Sequence, residues 1–445
     1  MDAATLDGPC LPVDPYDEEL PVTRRPVHAL ALILLSSAGS AIHETQAGDW
    51  PQILGPLRNG QAVNEPDLKP WPQDGPRKIW SAALGAGYAG PAVFQDRVVA
   101  FHREGDQERL EALDAATGRK IWSAQFDAAY NGGIDPDKGP RCVPVIHQGR
   151  VLAFGAAGSL HCVALQDGHV HWTRSLASEF AGKEGYFGFG STPIIEAEKV
   201  LINLGGAKAG IVALNLQDGQ TAWKSTDEDA SYSSPTRTTI GDKPCVVFVT
   251  RLNTVGIDPR DGTVQFRFPF GKRGPTVNAA TPLVIDNRLF LSASYGIGAE
   301  LRTLTSRSAE RVWSNDDTMS SQYSTCVHYQ GHLFGFHGRD DVGEVELRCF
   351  ELATGQIKWR KAGVRPGHLI LVHDQLLILT ADGQLQLAPA TPQGFEPTAA
   401  ATVSPHVTRA MPALAGGRLF FRDNSQDGGG TLSCLQLNAT HQPPP

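Results

Sequence analysis

The chain has 445 residues, of which 47 are Gly and 31 are Pro, too many helix breakers for a helical bundle. Hydrophobic residues make up 41% and charged residues 19%, which excludes a disordered chain and provides enough apolar material for a core. The net charge is −8, but residues 1–47 hold seven acids against only Arg24 and Arg25, so the remainder is nearly neutral and has no general attraction for nucleic acid.

Residues 1–47 read as a leader. Arg24 and Arg25 precede an apolar run at 27–35, and small residues follow at 36–41. That charged, apolar, small-residue order is the pattern of a secretory signal, with cleavage expected after Ala41 or Ala47. The run is too short to cross a bilayer, so no transmembrane span is expected in the mature chain. A lead-in of residues 48–76 follows and contains DWPQILGPLRNG at 49–60.

From residue 77 a repeat takes over. Alternating residues, then Asp-Gly or Thr-Gly, then a short run ending in an aromatic residue recur in LEALDAATGRKIW, LHCVALQDGHVHW, IVALNLQDGQTAW, VGIDPRDGTVQF and LRCFELATGQIKW. The terminal aromatics are Trp80, Trp122, Trp172, Trp223, Phe266, Trp313 and Trp359. The turn glycines are Gly118, Gly168, Gly219, Gly262 and Gly355; the copy ending at Trp313 lacks its glycine. Alternation marks strands with one buried face, and glycine supplies the positive φ of a tight turn. Two more strands precede each copy, opening near Pro91, Pro144, Pro193, Pro235, Pro282, Cys326, His368 and Pro412. Each unit is therefore four antiparallel strands, the size of a propeller blade.

The last unit, ending at LSCLQLN, lacks its fourth strand, while RKIW at 77–80 has no unit before it. The two fragments complete each other. The fold expected is all-β: an eight-bladed β-propeller of four-stranded blades over 77–438, its ring closed by the N-terminal strand pairing with the last blade. Residues 439–445 read as a disordered tail. Cys162, Cys349 and Cys434 share one slot of the repeat, which favours buried free thiols over disulfides.

These Trp-ended blades and the W-P-Q-x-x-G-P-x-R-x-G lead-in resemble the pyrroloquinoline-quinone (PQQ) repeat propellers. The lead-in looks like that of exported bacterial proteins of this superfamily, which are similar to the propeller subunit of the outer-membrane assembly machine. The resemblance covers about residues 49–438. It implies a periplasmic or extracellular, envelope-associated scaffold with cell-envelope protein partners. Quinone dehydrogenases of the superfamily carry an adjacent Cys pair, calcium ligands and an Asp base. This sequence has no adjacent Cys pair and no alignable calcium set, so no cofactor is expected, and a PQQ-dependent oxidoreductase is the alternative. Carbohydrate or polyanion binding is a second alternative.

No catalytic set and no metal site are expected. GAGYAG at 85–90 has dinucleotide-loop spacing but is followed by Pro91 and a strand, so it reads as a blade entry. His169 and His171 lack a third ligand. DPDKG at 135–139 and DNSQDG at 423–428 are pieces of calcium loops that do not reach the closing acid. Loops entering the inner strands carry Tyr88, Tyr130, Tyr232 and Tyr323. Loops sharing their face carry His102, Arg103, Lys208, Arg251, Tyr295, His337, Arg339 and Arg422. Of these, Tyr88, Tyr130, Lys208, Tyr232, Arg251, Tyr295, Tyr323, His337 and Arg339 are the expected ligand- or partner-binding residues at one channel mouth.

Overall fold

The computed structural model describes residues 48–305, 308–425 and 428–438. The leader and tail lie outside these residues. Eight four-stranded antiparallel sheets form the blades of a β-propeller. Blade 1 runs outward from its inner strand through Ala92–Phe94, Arg97–Glu104, Gln107–Asp114 and Lys120–Asp127. The inner strands of blades 2 to 7 are Val145–His147, Ile194–Glu196, Thr236–Ile240, Leu283–Ile285, Val327–Tyr329 and Gly367–Val372. Blade 8 comprises Ala413–Ala415, Arg418–Asn424 and Gly430–Gln436, with Arg77–Leu84 as its outer strand, so the expected closure is present. Among the described residues the only helices are Leu176–Phe180 and a single 3-10 turn at Asp340–Val342.

The repeated aromatic joins one blade to the next. Each Trp indole donates to a carbonyl in the outer hairpin of the following blade: Trp80 to Ala115, Trp122 to Leu165, Trp172 to Leu216, Trp223 to Pro259, Trp313 to Leu352 and Trp359 to Thr391, at 2.8–3.1 Å. The turn glycine lies flat against that ring. A Cβ on Gly118, Gly168, Gly219 or Gly262 would sit 2.6–2.7 Å from the preceding blade's Trp. These glycines therefore serve twice, once for φ near +70 to +80° and once for close approach. A register shift beside each aromatic, as between Ala112 and Leu113 opposite Trp122, is a bulge that turns the ring inward. Phe266 fills the slot in blade 4 without a donor. Blade 7 ends in Ala399–Thr402 with no aromatic, and Trp71 of the lead-in shares the core cluster of Ala399 and Ala401.

The six described cysteines are all buried free thiols, as the repeat position suggested. Burial pushes the thiols of Cys245, Cys326, Cys349 and Cys434 up to about 12.

Candidate functional site: a closed channel with one open mouth

The lead-in at residues 48–76 does more than precede the first blade. In the structure it closes the channel. Asp49 accepts from the Gln95 amide in the first turn of blade 1, and Glu65 accepts from the Gly416 and Gly417 amides in the corresponding turn of blade 8, so the segment enters and leaves on that face. With these two points included, it bonds to seven of the eight blades. Trp50 pairs with Val93, the Ile146 amide donates to Pro51, Gln61 donates to His328, and Ala62 pairs with Leu371. Arg58 is 2% exposed and reaches Thr192, Pro193 and Pro235 carbonyls as well as Gln52, at 2.9–3.2 Å. These bonds compensate the desolvation of the guanidinium, whose pKa burial lowers to about 9.

The opposite face carries the mouth. A cavity of about 220 Å³ is lined by Tyr88, Arg141, Phe187, Tyr232, Tyr295, Tyr323 and Arg409, with Asp135, Gln322, Val277 and Ala279. Four of the expected residues, Tyr88, Tyr232, Tyr295 and Tyr323, thus meet in one pocket. Burial raises the Tyr88 phenol and pushes those of Tyr232 and Tyr323 up to about 12, so these three rings act as neutral hydrogen-bonding and stacking surfaces. Guanidiniums lie over the pocket's rings: Arg141 at 5.7 Å from Tyr88, Arg339 at 4.4 Å from Tyr295 and Arg409 at 5.4 Å from Tyr323. The Tyr232 hydroxyl accepts from the Phe187 amide at 2.7 Å, tying two neighbouring blade entries together.

The other expected residues fall elsewhere. Tyr130 is buried below the mouth, under Arg141. His337 and Arg339 line a larger groove of about 910 Å³ beside blades 5 and 6, which meets the mouth at Tyr295. Arg251 is spent on the Lys272 and Gly274 carbonyls and the Thr276 hydroxyl. Lys208 is exposed outside the pocket. His102, Arg103 and Arg422 are buried rather than displayed at the rim. They hold GAGYAG in place: His102 accepts from the Gly85 amide, Arg422 donates to the Gly85 carbonyl, and Ala86 pairs with Arg103. The loop's Gly85 and Gly90 abut backbone carbonyls of Arg103 and Met411, where a Cβ would sit at 2.0–2.1 Å. The spacing is thus explained by packing.

Arg141, Phe187 and Arg409 were missed. For the two arginines the sequence does hold a signal. Tyr88, Arg141, Tyr232, Tyr323 and Arg409 each stand three residues before the residue that opens an inner strand: Pro91, Pro144, Pro235, Cys326 and Pro412. One register position of the repeat therefore faces the mouth, and in these five blades it holds Tyr or Arg. Phe187 lies off this register and had no such mark.

The mouth pocket by itself is small for a PQQ group. The cavity is smaller than the roughly 300–1,000 Å³ of ordinary small-molecule sites. The channel on the far side is filled by Trp50 and Arg58. Among the described residues no group of three His, Cys, Asp or Glu is placed to hold a metal; His169 and His171 meet edge to face at 5.8 Å without a third partner.

A family model described as outer membrane protein assembly factor BamB matches residues 106–361. The chain belongs to the BamB family. It is 21% identical over 372 residues to the outer membrane protein assembly factor BamB of Yersinia pestis, covering 70% of this chain and 88% of that one. The solved BamB of Moraxella catarrhalis superposes with a TM-score of 0.57 at 17% identity, over 82% of this chain and 98% of that one. The likeness extends to quinone enzymes. Quinoprotein alcohol dehydrogenase PedH of Pseudomonas putida is 28% identical over 161 residues, a match spanning 33% of this chain and 25% of the dehydrogenase. A europium-containing methanol dehydrogenase superposes with a TM-score of 0.65 at 9% identity, over 88% of this chain and 98% of that one. BamB proteins and dehydrogenases thus share the fold, and the site must distinguish them.

Proposed function

We propose that this protein is an exported, non-catalytic scaffold of the cell envelope whose mouth face holds a segment of a protein partner. The observation that carries this reading is the closure of the channel by residues 49–65, which leaves a Tyr- and Arg-lined cup on the other face. Around the cup the same face exposes Ile134, Tyr186, Val342 and Val407, at 38–70% exposure. Aromatic and Arg anchors in a pocket with apolar residues about it are the composition of a protein-binding surface. Membership of the BamB family supports an envelope setting, and no described helix is long and apolar enough to cross a membrane.

The test is affinity capture from an envelope fraction with the mature chain and with Tyr88→Ala/Tyr323→Ala. The expected result is a defined protein partner retained by the first and lost by the second. Equal retention by both would remove the mouth from partner binding.

The identity with PedH favours one second reading, a PQQ-dependent oxidoreductase. Adding PQQ and calcium to the purified chain should produce neither cofactor absorbance nor dye-linked alcohol oxidation if the scaffold reading is right.

A further inference from the structure

We propose that the mouth pocket takes a carboxylate carried on a small apolar body, with the carboxylate meeting Arg409 Nε and the Tyr323 hydroxyl. This deepens the partner-binding reading and rests on it. The Tyr323 hydroxyl and Arg409 Nε are buried beside each other, and apart from that mutual contact neither finds an acceptor among the described residues. A buried donor left unpaired is costly, so the two call for an acceptor from outside the chain.

Charge selects which acceptor. Asp340 receives both Arg365, at 2.9 Å, and Arg409, at 3.1 Å, so two guanidiniums share one carboxylate. Arg141 gives its donors to the Gly139 and Asp137 carbonyls at 2.7 and 2.9 Å, and among the described residues no acid lies within ion-pair distance of it. Asp135 is the one acid lining the pocket, against Arg141 and Arg409. The balance is positive by one. A carboxylate supplies the charge and two acceptor oxygens in the geometry that an Arg edge and a hydroxyl can share. An amide or alcohol of the same shape supplies neither the charge nor the second equivalent oxygen.

The remaining walls set the body of the ligand. Val277, Ala279 and Phe187 are apolar, and about 220 Å³ accommodates one aromatic or branched group rather than a multi-ring cofactor. Such a carboxylate could come from a free organic acid or from the end of a polypeptide.

Calorimetric titration of the mature chain with hydrocinnamate, hydrocinnamide, and a short peptide ending in Phe, free or amidated, separates the possibilities. Hydrocinnamate should bind and hydrocinnamide should not. Binding of the free-ended peptide but not the amidated one assigns the polypeptide source; binding of hydrocinnamate without the peptide assigns the free acid. Arg409→Gln should weaken the acid about tenfold, which is about 1.4 kcal/mol. Tyr323→Phe, which keeps the ring and therefore the fold, should weaken it about threefold. Amide binding equal to acid binding, binding unaffected by both substitutions in chains with unchanged unfolding midpoints, or no binding by acid or peptide would each overturn the proposal. If partner capture is still lost in Tyr88→Ala/Tyr323→Ala while no carboxylate binds, the pocket chemistry falls and the partner reading stands.

Discussion

The outer belt and the channel of this propeller are built on different terms. In the belt, six indoles repeat one bond to the next blade's turn, and each bond concerns two blades. In the channel, a single segment is bonded to seven blades through contacts that never repeat: a strand-like pair at Trp50, a buried guanidinium at Arg58, a carboxylate at Glu65. Redundancy makes any one belt joint expendable. The channel has no redundancy, so it is both the more fragile region and the one free to specialise.

The largest effect should therefore come from the channel. Arg58→Ala leaves the Thr192, Pro193 and Pro235 carbonyls without their donor and opens a void, and should lower stability by on the order of 3 kcal/mol in urea unfolding. A loss no larger than that from a single belt substitution would break the comparison. In the belt, Gly168→Ala meets the Trp122 ring and a φ of +75°, and should cost about 2 kcal/mol, read as a lowered thermal midpoint.

The junction of blades 1 and 2 carries a second device, which differs in its response to pH. Glu108 is 3% exposed, accepts from the Ala156 amide at 3.1 Å, and is raised by burial to about 7. Its folded pKa lies above its unfolded value, so the folded state holds the proton more tightly. The contribution is complete below the unfolded pKa and is lost as pH rises towards 7. His161 and His368 run the other way: burial lowers both to about 4, so their contribution grows as pH rises from there to 6.5. Subtracting wild type from Glu108→Gln cancels the histidines. The variant should gain about 2 kcal/mol relative to wild type on moving from about pH 5 to about pH 8. A flat difference curve would show that Glu108 is ionised throughout. The smallest effect belongs to Trp122→Phe, which keeps the ring and loses the bond to Leu165, as blade 4 does naturally with Phe266; about 1 kcal/mol is expected in urea unfolding.

The same contrast explains what could be read in advance. The belt was legible because Trp122, Gly168 and their counterparts recur at a fixed spacing, and even the missing strand of blade 8 could be located at residues 77–80. The bulge beside each Trp was not, since it leaves no residue type behind. At the mouth, Tyr88 and Tyr232 were visible in YAGP and YSSP, an aromatic followed by two small residues and Pro, and Tyr323 in the comparable YSTC. Arg141 and Arg409 occupy that register but lack the aromatic cue. His102 and Arg422 were placed at the rim because they end strands that point there, whereas their side chains turn inward to hold residue 85. The closure at 49–65 was illegible because nothing repeats in it: its partners lie as far as 352 residues away in sequence, as with Glu65 and Gly417.

Blade 8 gives the molecule a late step in its assembly. Arg77 pairs with Gln436, so an early strand waits unpaired until almost all of the described chain has been made. Closing so long a loop carries a large entropic cost and slows folding. Until that strand docks, Gly430–Gln436 presents a bare edge to other chains. The interval before ring closure is therefore when this protein is most exposed to mispairing, and a permuted chain that begins at blade 1 and carries residues 77–84 after residue 436 should shorten it.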